Sequence, residues 1–192
     1  MRSETRLDDN LDIATRLGGR CITLIGLMGA GKSTVGRKLS QMLALPFHDT
    51  DTEIETAAQM SVAELFASYG EPEFRALEAR VVARLAREGP HVLATGGGAY
   101  MATETREILR ERAVTVWLKA DVDVLMDRVQ RRGNRPLLAA ADPRAVMLSL
   151  IDKRYPVYAA ADITIVSRNV RREVIAEEII AALDRFLPGD PA

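Results

Sequence analysis

Two short stretches carry residue types that could do chemistry. GLMGAGKST at 26–34 fits the spelling G-x-x-x-x-G-K-[ST]. The glycines let backbone N–H groups turn inward around phosphate oxygens, and the N-terminus of the helix that follows adds positive potential. Lys32 would reach the β- and γ-phosphates, and the hydroxyl of Ser33 would ligate Mg²⁺. FHDTDTEIE at 47–55 sets four carboxylates, Asp49, Asp51, Glu53 and Glu55, within seven residues. Such a cluster could be a metal site, the solvated start of a helix, or a grip on a substrate. The apolar run HVLAT at 91–95 ends without an acid, where many phosphate-loop proteins carry a metal-orienting aspartate. Asp49 is the nearest candidate to supply it. Gly96, Gly97 and Gly98 follow that run and point to a ligand lying close to the backbone.

The elements that must position these residues alternate strand and helix. Strands are expected at 20–25, 46–49, 91–95, 113–118 and 162–166, with helices at 32–44, 103–112, 121–131 and 171–186. Ser61 to Glu64 spells a capping box opening another helix, and Pro72 suits the first turn of the next, to about residue 88. Asp142-Pro143 opens a further helix, which Tyr155-Pro156 should close. Strands separated by helices make an α/β fold, a parallel sheet with helices on both faces. Ligands then bind at the carboxyl ends of the strands, bringing together the loops after residues 25, 49, 95 and 118.

With 192 residues the chain suits one domain, and 26 basic against 27 acidic residues leave a net charge of −1. That balance argues against nucleic acid or an anionic membrane as the main partner. No run approaches the roughly 20 apolar residues of a membrane helix. Cys21 is the single cysteine, and a reducing, cytoplasmic setting fits it. Residues 1–19 read as a polar, flexible extension, 20–187 as the domain and 188–192 as a frayed tail.

Arg75 and Glu78 stand three apart on one helix and can pair, which on a surface would mean little. RRGNRPLL at 131–138 is basic and poorly anchored. It reads either as a surface loop or as a mobile lid, about 131–143, that brings Arg135 over the phosphates and excludes water. Arg154, at a helix end, could simply favour the helix dipole.

Taken together, GLMGAGKST, DTDTEIE, GE-x-EFR-x-x-E at 70–78, TGGGA at 95–99, and RPLL with RYPVY at 135–158 resemble the shikimate kinase family. The similarity runs from about residue 20 to 186. The resemblance implies a P-loop kinase three-layer sandwich with a central five-stranded parallel sheet and a mobile lid. It implies that ATP and shikimate give ADP and 3-phosphoshikimate, with Mg²⁺ as cofactor. Nothing in the sequence demands a dimer, and a monomer is expected. It assigns the ATP phosphates to Gly29, Ala30, Gly31, Lys32, Ser33 and Thr34. Arg128 and Arg171 would frame adenine, and Arg135 would come from the lid. Shikimate would lie against Asp51, Arg75, Gly97, Gly98 and Arg154, with the two arginines on its carboxylate. Asp51, Lys32 and Arg135 would carry catalysis. Ser33 would bind the metal directly and Asp49 through water, while Glu53 and Glu55 would start a helix. His48 and Trp117 match no role and are expected to pack. A gluconate kinase and a non-catalytic nucleotide-binding relative are the competing readings.

Overall fold

The computed structural model describes residues 12–132 and 140–189. Five strands form one parallel sheet: β1 (Cys21–Ile25), β2 (Phe47–Asp49), β3 (Val92–Ala94), β4 (Ala113–Lys119) and β5 (Ile163–Val166). Their order is β2-β3-β1-β4-β5. Every residue of β1 and β3 is buried. Alternate side chains point to opposite faces, so helices must cover both sides. The helices are α1 (Lys32–Leu43), α2 (Thr50–Ala58), α3 (Val62–Leu85), α4 (Thr103–Arg112), α5 (Val122–Arg132), α6 (Pro143–Tyr158) and α7 (Arg172–Phe186). Leu24 and Asp49 both pair with Ala94. The loops leaving β1, β2 and β3 therefore start at one level, along one edge.

Local chemistry accounts for most element ends. Ser61 and Glu64 form both halves of the capping box, and the Asp142 carboxylate accepts from the Ala145 N–H with Pro143 in the first turn. Two expectations shift. The helices expected on either side of Gly70 run as one segment, kinked where Gly70 is non-helical (φ 79°, ψ 173°). Helix α6 does not close at Tyr155-Pro156 but continues to Tyr158 with Pro156 inside it. The proline removes one N–H, and the packing of Tyr155 and Tyr158 around Trp117 holds the turn regardless.

The main core lies between the sheet and its helices. A second, smaller core of Ile54, Leu65, Phe74, Val81, Leu85 and Leu93 lies under α2 and α3. Burying a side chain such as Phe74 contributes about 1.5–3 kcal/mol, which fixes the face of α3 that carries Arg75 and Glu78.

The expected extension at 1–19 is too long. Residues 12–16 are helical, and Ile13 and Leu17 are buried in the main core. The four-residue spacing of Ile13 and Leu17 is one helix face, hidden in the sequence by the charged residues around it. Arg16 ties this segment to the end of α7. It donates to Asp12 and Asp184 and to the carbonyls of Asp184, Leu187 and Pro188. The Asp184 carbonyl is in the last turn of α7, where carbonyls lack intrahelical partners, and those of Leu187 and Pro188 follow the helix end. Arg16→Ala is expected to lower the urea midpoint while leaving steady-state rates unchanged. A variant that unfolds at the wild-type midpoint would contradict this.

Candidate active site

The phosphate loop follows from its neighbours. Strand β1 ends at Ile25, and α1 starts at Lys32 behind Gly31, a cap residue with φ 95° that suits glycine and with no side-chain cap bond. The first N–H groups of α1 are thus left to an anion. Lys32 Nζ folds back on its own loop, donating to the carbonyls of Gly26 (2.8 Å) and Leu27 (3.0 Å).

The acidic stretch separates into distinct jobs. Asp49 caps α2, one oxygen accepting from the Asp51 N–H at 3.1 Å. Its other oxygen accepts from Ser33 Oγ at 2.6 Å. Asp51 sits in the first turn of α2 and lines the cavity beside the loop. Glu53 turns away to Arg84 (2.8 Å) and His48 (3.1 Å), and Glu55 accepts from the Val62 N–H. Among the described residues no group of three or more His, Cys, Asp or Glu could hold a metal. A hydroxyl and a carboxylate in contact are nonetheless a fitting donor set for Mg²⁺. This ion takes oxygen ligands and draws most of its shell from water and phosphate.

The cavity, about 220 Å³, is lined by Lys32, Ser33, Asp49, Asp51, Arg75, Glu78, Gly96, Gly97, Gly98 and Arg154. It has the size of one small molecule rather than a polymer segment. Gly29 lines it as well. Arg75 Nη1 donates to Glu78 at 2.7 Å, and a Cβ on Gly98 would come within 2.5 Å of that nitrogen. Glycine is needed there for the guanidinium to lie against the turn. Arg154 Nη1 donates to the Gly97 carbonyl at 2.8 Å. The cavity lining therefore holds two forked cations and a lysine together with Asp49, Asp51 and Glu78. That pattern fits an anion that also bears hydroxyls.

Sequence reasoning missed several residues here. Glu78 appeared only as a helix pair, yet it is 2% exposed, and its Oε1 has no hydrogen-bond partner among the described residues. Burial pushes its carboxyl up from the ordinary value, and Arg75 draws it part of the way back. A raised carboxyl contributes stability that is complete below its ordinary value of 4.5 and is lost as pH climbs through the raised one. Glu78→Gln cannot titrate. Its melting temperature is expected to fall less than that of the wild type between pH 4.5 and neutrality, and parallel profiles would contradict this. Thr50, fully buried, accepts from the Gly96 N–H at 2.8 Å and ties the acidic stretch to the glycine turn. Ser167 donates to the Ala30 carbonyl at 2.8 Å. Its position after the last strand was the available signal, since the loop after β5 reaches the same edge.

A second cavity opens on the other side of the phosphate loop, lined in part by Gly31, Thr34, Arg128, Arg168, Val170 and Arg172. Arg128 spans it, donating to Ser167 Oγ at 2.8 Å and to the Arg168 carbonyl at 2.6 Å. Arg171 is the cap residue of α7 and is not in that lining. The helix start one residue later turns Arg172 toward the cavity instead. Arg135, and residues 133–139 of the lid expected at about 131–143, lie outside the described residues. Trp117 is buried as expected, whereas His48 is half-buried, edge-on to His91 at 4.9 Å between centroids.

A Walker-type loop at the carboxyl end of the central strand of a five-stranded parallel sheet, with an acid beside its serine and a charged pocket holding Arg75 and Arg154 alongside, defines a P-loop small-molecule kinase. A family model described as "Shikimate kinase" matches residues 28–184. Shikimate kinase of Brucella canis is 57% identical over 176 residues, 92% of this chain and 88% of its own. The solved shikimate kinase from Acinetobacter baumannii in complex with shikimate superposes with a TM-score of 0.83 at 35% identity, over 89% of this chain and 96% of that one. The chain belongs to the shikimate kinase family. A gluconokinase from Sinorhizobium meliloti, at 19% identity and TM-score 0.58, over 90% of this chain and 95% of that one, shares the fold alone.

Proposed function

We propose that the chain transfers the γ-phosphoryl group of ATP to the 3-hydroxyl of shikimate, giving 3-phosphoshikimate and ADP. The observation that carries this reading is the single cavity in which Lys32 and Ser33 face Asp51, Arg75 and Arg154. Shikimate is a small carboxylate with three hydroxyls. Arg75 and Arg154 take its carboxylate, with the Gly97 and Gly98 backbone as the floor, and Asp51 accepts from its hydroxyls. The bond from O3 to phosphorus forms as that from phosphorus to the β,γ-bridging oxygen breaks. Asp51 takes the proton from O3, and ADP leaves. Because this transfer is loose, placement of O3 matters as much as basicity.

Gly29 through Thr34 hold the phosphates. Lys32, joined by Arg135, offsets charge on the transferring group, and Arg128 lies toward adenine. Ser33 would hold Mg²⁺ directly and Asp49 through water, and the ion would supply charge neutralisation for the phosphates. The reading includes a monomer in the cytoplasm. A reducing compartment fits the lone buried thiol of Cys21.

The test is ADP release from purified protein with a panel of acceptors. Shikimate should support turnover and gluconate should not. Turnover with gluconate alone would favour the sugar-acid kinase reading. ATP binding without release for any acceptor would favour a non-catalytic role.

A further inference from the structure

Helix α6 carries a second side chain aimed at the acceptor loop. Arg154 and Tyr158 stand four apart, so they share a face. Both donate to one atom, the Gly97 carbonyl oxygen: Arg154 Nη1 at 2.8 Å, and the Tyr158 hydroxyl. Tyr158 is fully buried. Its ring lies 6.0 Å from that of Trp117 and 6.3 Å from those of Tyr100 and Tyr155, centroid to centroid. The phenol hydroxyl also lies within hydrogen-bond reach of Arg154 itself. The turn it holds is in van der Waals contact with the phosphate loop, since a Cβ on Gly97 would lie 3.4 Å from Arg154 Nη1, 3.5 Å from the Gly26 carbonyl oxygen and 3.6 Å from the Met28 nitrogen.

We infer that Tyr158 is a positioning residue for the acceptor, whose hydroxyl fixes the peptide between Gly97 and Gly98 and, with it, the seat of Arg154. The described chain has no cis peptide bonds, so fixing the Gly97 carbonyl also fixes the Gly98 N–H on the opposite edge. Without the phenol, the carbonyl keeps one donor instead of two. The peptide can then rock, and Arg154 loses the fixed acceptor that orients its fork. The substrate-binding wall loosens while the phosphate loop, held by its own bonds, does not. The inference rests on shikimate being the acceptor.

The test is steady-state kinetics of Tyr158→Phe beside Tyr155→Phe. The second variant is the control. It deletes a hydroxyl of the same aromatic cluster that donates to the Ala120 carbonyl instead. Tyr158→Phe should raise KM for shikimate about tenfold, with KM for ATP and the melting temperature near wild type and kcat falling less than KM rises. Tyr155→Phe should leave KM for shikimate unchanged. An unchanged KM in Tyr158→Phe, an equal rise in both variants, or a joint loss of kcat, both KM values and melting temperature would overturn the inference. A wild-type protein inactive toward shikimate is a separate result, visible without any substitution, and overturns the functional reading together with this one.

Discussion

Asp51→Asn is expected to lower kcat about a thousandfold while ATP binding stays within about twofold of wild type. The amide keeps the size of the side chain and the first turn of α2. What it loses is the capacity to take a proton from the attacking hydroxyl and the charge that orients it. In the proposed reading ATP is held by the loop from Gly29 to Thr34, so its affinity should not follow. The two acids separate cleanly here. Asp49 is engaged with Ser33 and with the Asp51 N–H, so Asp49→Asn should instead disturb metal-dependent nucleotide binding. Single-turnover rates with saturating substrates measure the first effect directly. Near-normal turnover in Asp51→Asn would remove Asp51 from the chemistry.

Arg75→Ala should act on the acceptor instead, raising KM for shikimate about a hundredfold, because it removes a forked, charge-assisted contact to the carboxylate. It should also destabilise the fold, since Glu78 is nearly fully buried and loses its counter-charge. The two effects can be told apart. Arg75→Ala combined with Glu78→Ala should recover much of the melting temperature and none of the affinity for shikimate. If the double variant regains both, Arg75 is a structural partner of Glu78 and not a substrate ligand.

The parts of this site that could be read in the sequence are those whose meaning is local. The phosphate loop needs glycines, lysine and serine at fixed spacing. The triple glycine after a buried strand and the Asp49/Asp51 pair are local in the same way. Alternation of buried strands and helices was enough for the five-stranded parallel sheet. The parts that stayed hidden depend on distant contacts. Tyr158 is one aromatic residue shortly after a proline until α6 is seen to run past Pro156 and reach Gly97. Thr50 is a spacer between acids until the Gly96 N–H arrives on it. Glu78 looks like half of a surface ion pair until the second core puts it inside. Ile13 and Leu17 carry a two-residue apolar face, too short a signal to outweigh their charged neighbours. The choice between Arg171 and Arg172 turns on a helix boundary, which propensity sets only to within a residue or two.

The central claim is that one cavity brings the phosphate of ATP to a hydroxyl of shikimate. Phosphorus NMR of the purified protein with ATP, Mg²⁺ and shikimate tests it most directly. The account predicts that the γ-phosphate signal is replaced by a phosphomonoester coupled to the proton on C3 of shikimate, with ADP formed in equal amount. Inorganic phosphate as the only product, or a monoester that forms on gluconate and not on shikimate, would contradict it.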